Sequence, residues 1–381
     1  MRVGYERVRH DPPPADDPGE PALIARLRDE IDAQGPMTFA RFMERALYEP
    51  GLGYYATSAE RPTRTGDFLT APELHPLFGW TVARQIDEMW QRLGRPQTFT
   101  LREFGAGTGA LGQAIEDGLR RAGSPLADCL SYEPIETESR TGTPATRNGR
   151  MVGCVLANEF VDALPVHRVV MRARRLHELF VGWSEGRFVE VVGELSDPRL
   201  AARFEIPGVH LADGQRAEVN LAMTAWLNEV RSDLEAGYVL IFDYAAPATE
   251  LFAPDRLTGT LRAFRGQHVS SDVLAGVGRQ DITSTVDLDA LEAAAIDAGL
   301  TALGRARQAE FLMGCGLEDA YASARAGTSD DWDAAVLLRS TVTRLLDPRA
   351  LGGYWVDILG SNVPRDPPLR GLAYRLARRP Q

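Results

Sequence analysis

The sequence predicts an α/β fold built on a mostly parallel, doubly wound sheet, and three observations carry that prediction. Short strand-like runs, "TFTLREF" (98–104), "DCLSYEP" (128–134), "GCVLANEF" (153–160) and "GYVLIFDYA" (237–245), alternate with segments of helical periodicity. The first run leads straight into a glycine-rich turn, "EFGAGTGALG" (103–112), and then into a helical pattern that Gly123 closes. Acidic residues stand at the carboxyl ends of these runs, where open α/β sheets take their ligands.

The elements follow in order. Residues 1–20 are acidic and proline-rich with no apolar core, so they read as a flexible tail without a leader, on a cytoplasmic protein. Ala22–Ala33 and Phe39–Leu47 have helical spacing, and the segment 21–95 is expected to be an N-terminal helical unit. Thr70 and Glu73 have the form of a capping box. Phe78, Val82, Ile86, Met89, Trp90 and Leu93 then recur at helical spacing and predict a buried face. The strand–helix alternation spans 96–305. Within it, the alternating runs around Ser184-Glu185-Gly186 predict a hairpin, and 251–286 predicts a long inserted loop. "DLDALEAAAIDAGL" (287–300) is a helix, and helices with a terminal strand complete 306–381.

Composition excludes several classes. The chain has 381 residues and a formal charge of −11, so clustered phosphate neutralisation, and with it general nucleic-acid binding, is not expected. No apolar run reaches the roughly eighteen residues of a membrane span. All 42 basic residues are arginine, so neither a Schiff-base lysine nor a Walker lysine exists. Cys129, Cys154 and Cys315 form no C-x-x-C pair, and no metal site or disulfide framework is expected.

The glycine turn admits two kinds of ligand. Gly107, Gly109 and Gly112 fit G-x-G-x-x-G, and Glu133 ends the next strand about where a ribose-binding acid stands in a dinucleotide site. Glu103 argues for the other kind. A pyrophosphate beside it would meet a carboxylate, whereas the sulfonium and ammonium of S-adenosylmethionine carry the opposite charge. One such pair at about 4 Å and an effective dielectric near 20 is worth up to roughly 4 kcal/mol before desolvation. The cofactor's own carboxylate can use the helix N-terminus.

The stretch "LANEFVDALPVHRV" (156–169) follows an apolar strand, which brings Asn158, Glu159 and Asp162 to the sheet's carboxyl edge. Methyl transfer is a displacement, and alignment of the nucleophile can supply about 7–11 kcal/mol. A guanidinium nucleophile also needs carboxylates making paired hydrogen bonds, which Glu159 and Asp162 could provide. An acid capping the following turn has the same signature. Asp243 is a third edge acid, readable also as a loop start, with Tyr244 beside it as a pocket wall. In the long loop stand Arg265, His268, Gln280, Asp281 and Asp287, of which His268 is a candidate base.

Together these segments resemble the MidA-like family of S-adenosylmethionine-dependent methyltransferases. The matching pieces are "MTFARFMERALYEPGLGYY" (37–55), "GDFLTAPEL" (66–74), "EFGAGTGAL" (103–111), "LANEFVDALPVHRV", "FDYA" (242–245), "GTLRAFRGQHV" (259–269) and "QDITSTVDLDAL" (280–291), extended by "EFLMGCGLED" (310–319) and "YWVDILG" (354–360). The resemblance implies a Rossmann-like methyltransferase core with an N-terminal helical segment and inserted hairpin and loop elements. It implies S-adenosyl-L-methionine as cofactor, with the family's cofactor motif on Glu103, Gly105, Gly107 and Gly109 and its ribose acid on Glu133. It further implies that "GDFLTAPEL" folds over the cofactor, with Asp67, Phe68 and Thr70 near the site.

The implied activity is methylation of arginine in a protein, with a respiratory-complex subunit as a candidate substrate, since the family's mitochondrial members are protein arginine methyltransferases that assist assembly of respiratory complex I. A homodimer is a candidate assembly that the sequence itself does not reveal. A non-catalytic assembly protein on the same fold and a small-molecule methyltransferase are the alternatives, with a nicotinamide dehydrogenase more distant. One departure stands out: "PIETESRTGTPATRNGRMVGCVLA" (134–157) is too short for the family's helix, third strand and adenine-contacting turn.

Overall fold

Six strands make the central sheet of a computed structural model that describes residues 17–60, 71–136, 149–265, 268–327 and 331–376. In chain order they are β1 (Phe99–Phe104), β2 (Leu130–Ile135), β3 (Met151–Asn158), β4 (Leu234–Asp243), β5 (Thr301–Arg307) and β6 (Trp355–Ser361). They lie side by side as β5-β6-β4-β3-β1-β2. The first four are mutually parallel, and β6 runs antiparallel to both of its neighbours. The predicted α/β class and mostly parallel sheet are therefore present. All six residues of β1 are buried, because helices cover both faces. Burial on both faces therefore takes in Thr100, Arg102 and Glu103 along with the apolar residues of the strand. β5 went unseen in the sequence, since "TALGRAR" buries only Ala306 fully and offers no apolar run.

Six helices matter for the site: α1 (Pro21–Gln34), α2 (Phe39–Tyr48), α3 (Leu77–Arg92), α4 (Ala110–Arg121), α5 (Leu221–Asp233) and α6 (Leu288–Asp297). On one face, α3 and α4 pack over Phe99, Leu101, Leu156 and Phe242. On the other, α5 and α6 pack over Phe104, Val155, Val239 and Ile241. Phe78, Val82, Ile86 and Met89 are fully buried, so the stripe predicted for α3 is core. Each such side chain contributes about 1.5–3 kcal/mol by leaving water.

Two smaller sheets flank the carboxyl edge. Strands Met37–Thr38, His167–Arg172, Arg175–Ser184, Arg187–Gly193 and Arg216–Val219 form an antiparallel unit. It contains the predicted hairpin, whose two turn residues Glu185 and Gly186 both have positive φ, as a type I′ turn requires. The segment expected to be one long loop instead contains Arg262–Arg265, His268–Ser270 and Asp281–Thr283, paired as three antiparallel strands. Strands this short carry no readable periodicity. Helices α1 and α2 bury Leu27, Phe42 and Leu47 against Val181, Ala263 and Ile282. The described end of the expected tail is pinned here. Gly19 bridges Val277, and the Asp17 carboxylate pairs with Arg265 at 2.7 Å and Arg279 at 3.3 Å.

Candidate active site

The chain leaves β1 for β2 on one side and returns to β3 on the other, so the strand order reverses between β1 and β3. A crevice opens at the carboxyl ends there, where doubly wound sheets hold ligands. The glycine turn follows β1, and Asn158 and Glu159 follow β3. Gly105, Gly107 and Gly109 all have positive φ, at 69°, 57° and 74°, a conformation glycine adopts without strain. Gly105 and Gly107 are exposed, and a Cβ placed on Gly107 would meet nothing within 4 Å. Gly109 caps α4.

Glu103 is only 3 % exposed at the mouth of β1. Burial pushes its carboxyl up to about 7. The Tyr132 hydroxyl, which donates to Oε2 at 2.7 Å, and the Gly112 amide pull it back, while the nearby Glu136 carboxylate pushes further up.

Glu133, expected at the ribose, is differently engaged. Parallel pairing sets it opposite Arg102, on the α5 face of the sheet. Its Oε2 accepts from Arg102 Nε at 2.9 Å and Nη2 at 2.8 Å. Arg102 has no exposed surface and also donates to Asp233, at the end of α5, at 2.7 Å. The acid that reaches the glycine turn is Glu136, one residue beyond β2, whose carboxylate accepts the Gly107 N–H. Side chains alternate across a strand, so an acid two positions inside its end lies against a sheet face, not at the edge.

On the other side of the crevice three acids gather. Asp243, at the end of β4, is 2 % exposed, and Asp162 is 4 % exposed. Asp243 Oδ2 accepts the N–H groups of Val161 at 3.0 Å and Asp162 at 3.2 Å, and Oδ1 accepts that of Tyr244 at 2.9 Å. Asp243 therefore holds the loop that carries the other two acids. Burial, with Asp162 and then Glu159 beside it, drives its carboxyl well above the usual range.

Glu159 has φ 50°, a left-handed conformation that costs a residue with a Cβ about 1–3 kcal/mol and clusters at functional sites. Its backbone N–H is anchored to Phe242 O at 2.8 Å, and Asn158 Nδ2 donates to its Oε1 at 3.3 Å. Tyrosines wall this acidic cleft. Tyr244 and Tyr354 lie 5.7 Å apart, ring to ring. Burial raises the Tyr354 phenol strongly, with Glu159, Asp162 and Asp243 adding to it. From the N-terminal unit Tyr55 donates to Asp281 Oδ1 at 2.8 Å and stacks on Tyr48. Burial raises its phenol, with Asp281, Tyr48 and Asp162 contributing.

Other expected residues stand apart. His268 lies exposed on an outer strand paired with Arg265. Gln280 ties its own loop through Asp272 O and Ala275 O. Asp287 caps α6 and pairs with Arg203 at 2.6 Å. Asp67, Phe68 and Thr70 lie outside the described residues. The sequence did not single out Tyr132, Glu136, Tyr55 or Tyr354. A tyrosine inside a strand, such as Tyr132, carries no signal until the register is known.

Comparison with known proteins agrees with this geometry. The family model described as "Putative S-adenosyl-L-methionine-dependent methyltransferase" matches residues 81–146 and 143–306. Protein arginine methyltransferase NDUFAF7, mitochondrial, is 28 % identical in Danio rerio over 87 % of this chain and 85 % of that one. The Homo sapiens protein of the same name is 27 % identical over 80 % of this chain and 75 % of that one. A Burkholderia thailandensis crystal structure bound to S-adenosyl-homocysteine superposes with a TM-score of 0.82 at 30 % identity, covering 92 % of this chain and 94 % of that one. The animal relatives are named mitochondrial, which overturns the cytoplasmic placement expected from the sequence. Among the described residues no helix is long and apolar enough to cross a membrane. The glycine turn, the acid at its mouth and these matches have one reading: the chain belongs to the family of S-adenosyl-L-methionine-dependent methyltransferases.

Proposed function

We propose that the protein methylates a guanidinium nitrogen of an arginine in a protein substrate. The observation that carries the reading is the gathering of Glu159, Asp162 and Asp243 beside Tyr244 and Tyr354, one strand away from the glycine turn. A guanidinium is planar, cationic and forked, and carboxylates match it with paired hydrogen bonds while aromatic rings stack on its face. The names of the animal relatives give the same acceptor.

The cofactor fits the other half of the crevice. Gly105 is exposed, and Gly107 has open space where a Cβ would stand. The Gly107 amide donates to the Glu136 carboxylate, which sets that acid at the turn. Glu103, Gly105, Gly107 and Gly109 form its seat, and Glu136, in place of Glu133, takes the ribose hydroxyls. We assign residues 21–95 to an N-terminal segment over that seat, 96–305 to the methyltransferase core and 306–381 to a C-terminal addition.

The bound cofactor supplies an electrophilic methyl whose S–C bond breaks as the N–C bond forms. Glu159 and Asp162 orient the guanidinium and offset its charge, and their carboxylates stand as acceptors for the proton that the methylated nitrogen gives up. Asp243 keeps both on one rigid loop. The test is transfer of a radiolabelled methyl group into a lysate, with the labelled residue identified. Label on arginine, lost in Glu159→Gln while S-adenosyl-homocysteine still binds, supports the assignment. Label on lysine, histidine or a small molecule overturns it. A respiratory-complex subunit is the acceptor to assay first, and light scattering tests the candidate homodimer.

A further inference from the structure

Tyr132 and Gly112 take no part in the chemistry above, yet both are built against the acid at the mouth of β1. Parallel pairing places Tyr132 beside Leu101, so its side chain lies on the α4 face, the same face as Glu103. Its hydroxyl donates to Glu103 Oε2 at 2.7 Å. Its ring fills the space under the first turns of α4. A Cβ on Gly112 would run into the ring, and one on Gly109 would stand 3.6 Å from the hydroxyl. The Gly112 amide faces the same carboxylate. Glu103 is therefore held by a phenol from β2 and an amide from α4.

We propose that Tyr132 is a positioning residue for cofactor binding: its hydroxyl fixes the Glu103 carboxylate, in its charged form, at the edge of the glycine turn, and Gly112 is glycine to admit the tyrosine ring rather than the ligand.

The physical need is plain. A carboxylate with 3 % exposure has almost no water to solvate its charge and would take up a proton. The cofactor's α-ammonium, which S-adenosyl-homocysteine retains, gains from it only when it is ionised. Burial and the Glu136 carboxylate oppose ionisation, and the Tyr132 hydroxyl and Gly112 amide favour it. Tyr132 itself faces Glu103, Glu136 and Glu116, all of which hold its phenol protonated, with burial as the largest cause. It therefore stays a donor at any working pH. Removing the hydroxyl leaves Glu103 more firmly protonated, so the affinity for the cofactor falls and its pH midpoint climbs.

The experiment is calorimetric titration of S-adenosyl-homocysteine into wild-type, Tyr132→Phe, Gly112→Ala and Glu103→Gln proteins between about pH 5.5 and about pH 9. In the wild type, affinity should rise with pH around a midpoint near 7. Tyr132→Phe should bind about five- to tenfold more weakly at neutral pH, consistent with one hydrogen bond to a charged group, with the midpoint moved upward. Gly112→Ala, which displaces the ring, should move both quantities in the same direction. Glu103→Gln should flatten the profile, and adding Tyr132→Phe to it should change nothing further. A Tyr132→Phe protein with wild-type affinity and midpoint overturns the proposal. So does a double variant in which the tyrosine hydroxyl still matters without the Glu103 charge, because that is the mark of a purely structural role. Circular dichroism confirms that each variant is folded.

Discussion

Asp243 and Asp162 face each other as a clamp and its load: the Asp243 carboxylate accepts the Asp162 backbone N–H at 3.2 Å, having already accepted that of Val161 at 3.0 Å. Its second oxygen accepts the Tyr244 N–H. Every oxygen of this buried group thus meets a backbone donor. An asparagine cannot satisfy all three, because its NH2 would confront an N–H. Asp243→Asn should lose about 1–3 kcal/mol of stability, the usual cost of an unmatched buried polar pair. Methyl transfer should fall with it, since the acids at 159 and 162 ride on that loop. Thermal melts and single-turnover transfer measure the two effects. A stable, fully active Asp243→Asn protein would show that the clamp does not position the loop.

Glu133 and Glu136 separate the roles of partner and ligand-holder. Glu133→Gln removes a charge from buried Arg102 but leaves it Asp233. Breaking half of such a network should cost roughly 1–3 kcal/mol, less than the 3–5 kcal/mol for losing the sole partner of a buried ion. S-adenosyl-homocysteine affinity should change little in the folded fraction. Glu136→Gln should do the reverse: an unchanged melting temperature with affinity reduced about tenfold or more, for two charge-assisted hydrogen bonds. Melts and calorimetry on the pair decide it. Affinity lost only in Glu133→Gln would restore the ribose role to that residue.

That pair also marks how far the sequence could be read. The strands β1 to β4, the turn and the edge acids are local patterns, and the structure contains them where the patterns fall. Which of two acids three residues apart meets the ligand depends on strand parity and on where the strand stops. No local pattern records either. Tyr55 reaches Asp281 across 226 residues of sequence, and Tyr354 meets Tyr244 because the strand that follows it, from the far end of the chain, pairs directly with β4. Such contacts follow from topology. His268 was legible as a residue type suited to proton transfer, but its position on an exposed outer strand was not.

The state of Glu103 sets a pH dependence of stability with a definite sign. Its folded-state value is about 7, raised from 4.5. The folded form therefore binds the proton more tightly than the unfolded one. Stability from this group is fully present below the unfolded value, declines as pH rises between the two, and is gone above about 7. The full difference is about 3 kcal/mol. Glu103→Gln, which cannot ionise, should match the wild type near pH 4.5 within about 1 kcal/mol and exceed it at pH 8. Denaturant melts at both pH values test this. Equal stability at pH 8 would mean that the carboxylate is not strained in the folded state.

Gly107 separates what the turn needs for folding from what it needs for binding. Its φ of 57° is reached readily by glycine, and alanine there costs about 1–2 kcal/mol. Nothing within 4 Å would meet the added methyl, so no clash adds to that cost. The protein should fold with a modestly lower melting temperature. The methyl would project from an exposed turn into the space assigned to the cofactor, where backbone and ligand must approach closely. Gly107→Ala should therefore weaken S-adenosyl-homocysteine by at least about tenfold, and Gly107→Val should abolish binding, each by more than its loss of stability explains. Undiminished affinity in the alanine protein would move the cofactor off this turn, and with it the reading of Glu103 as the acid beside a cation.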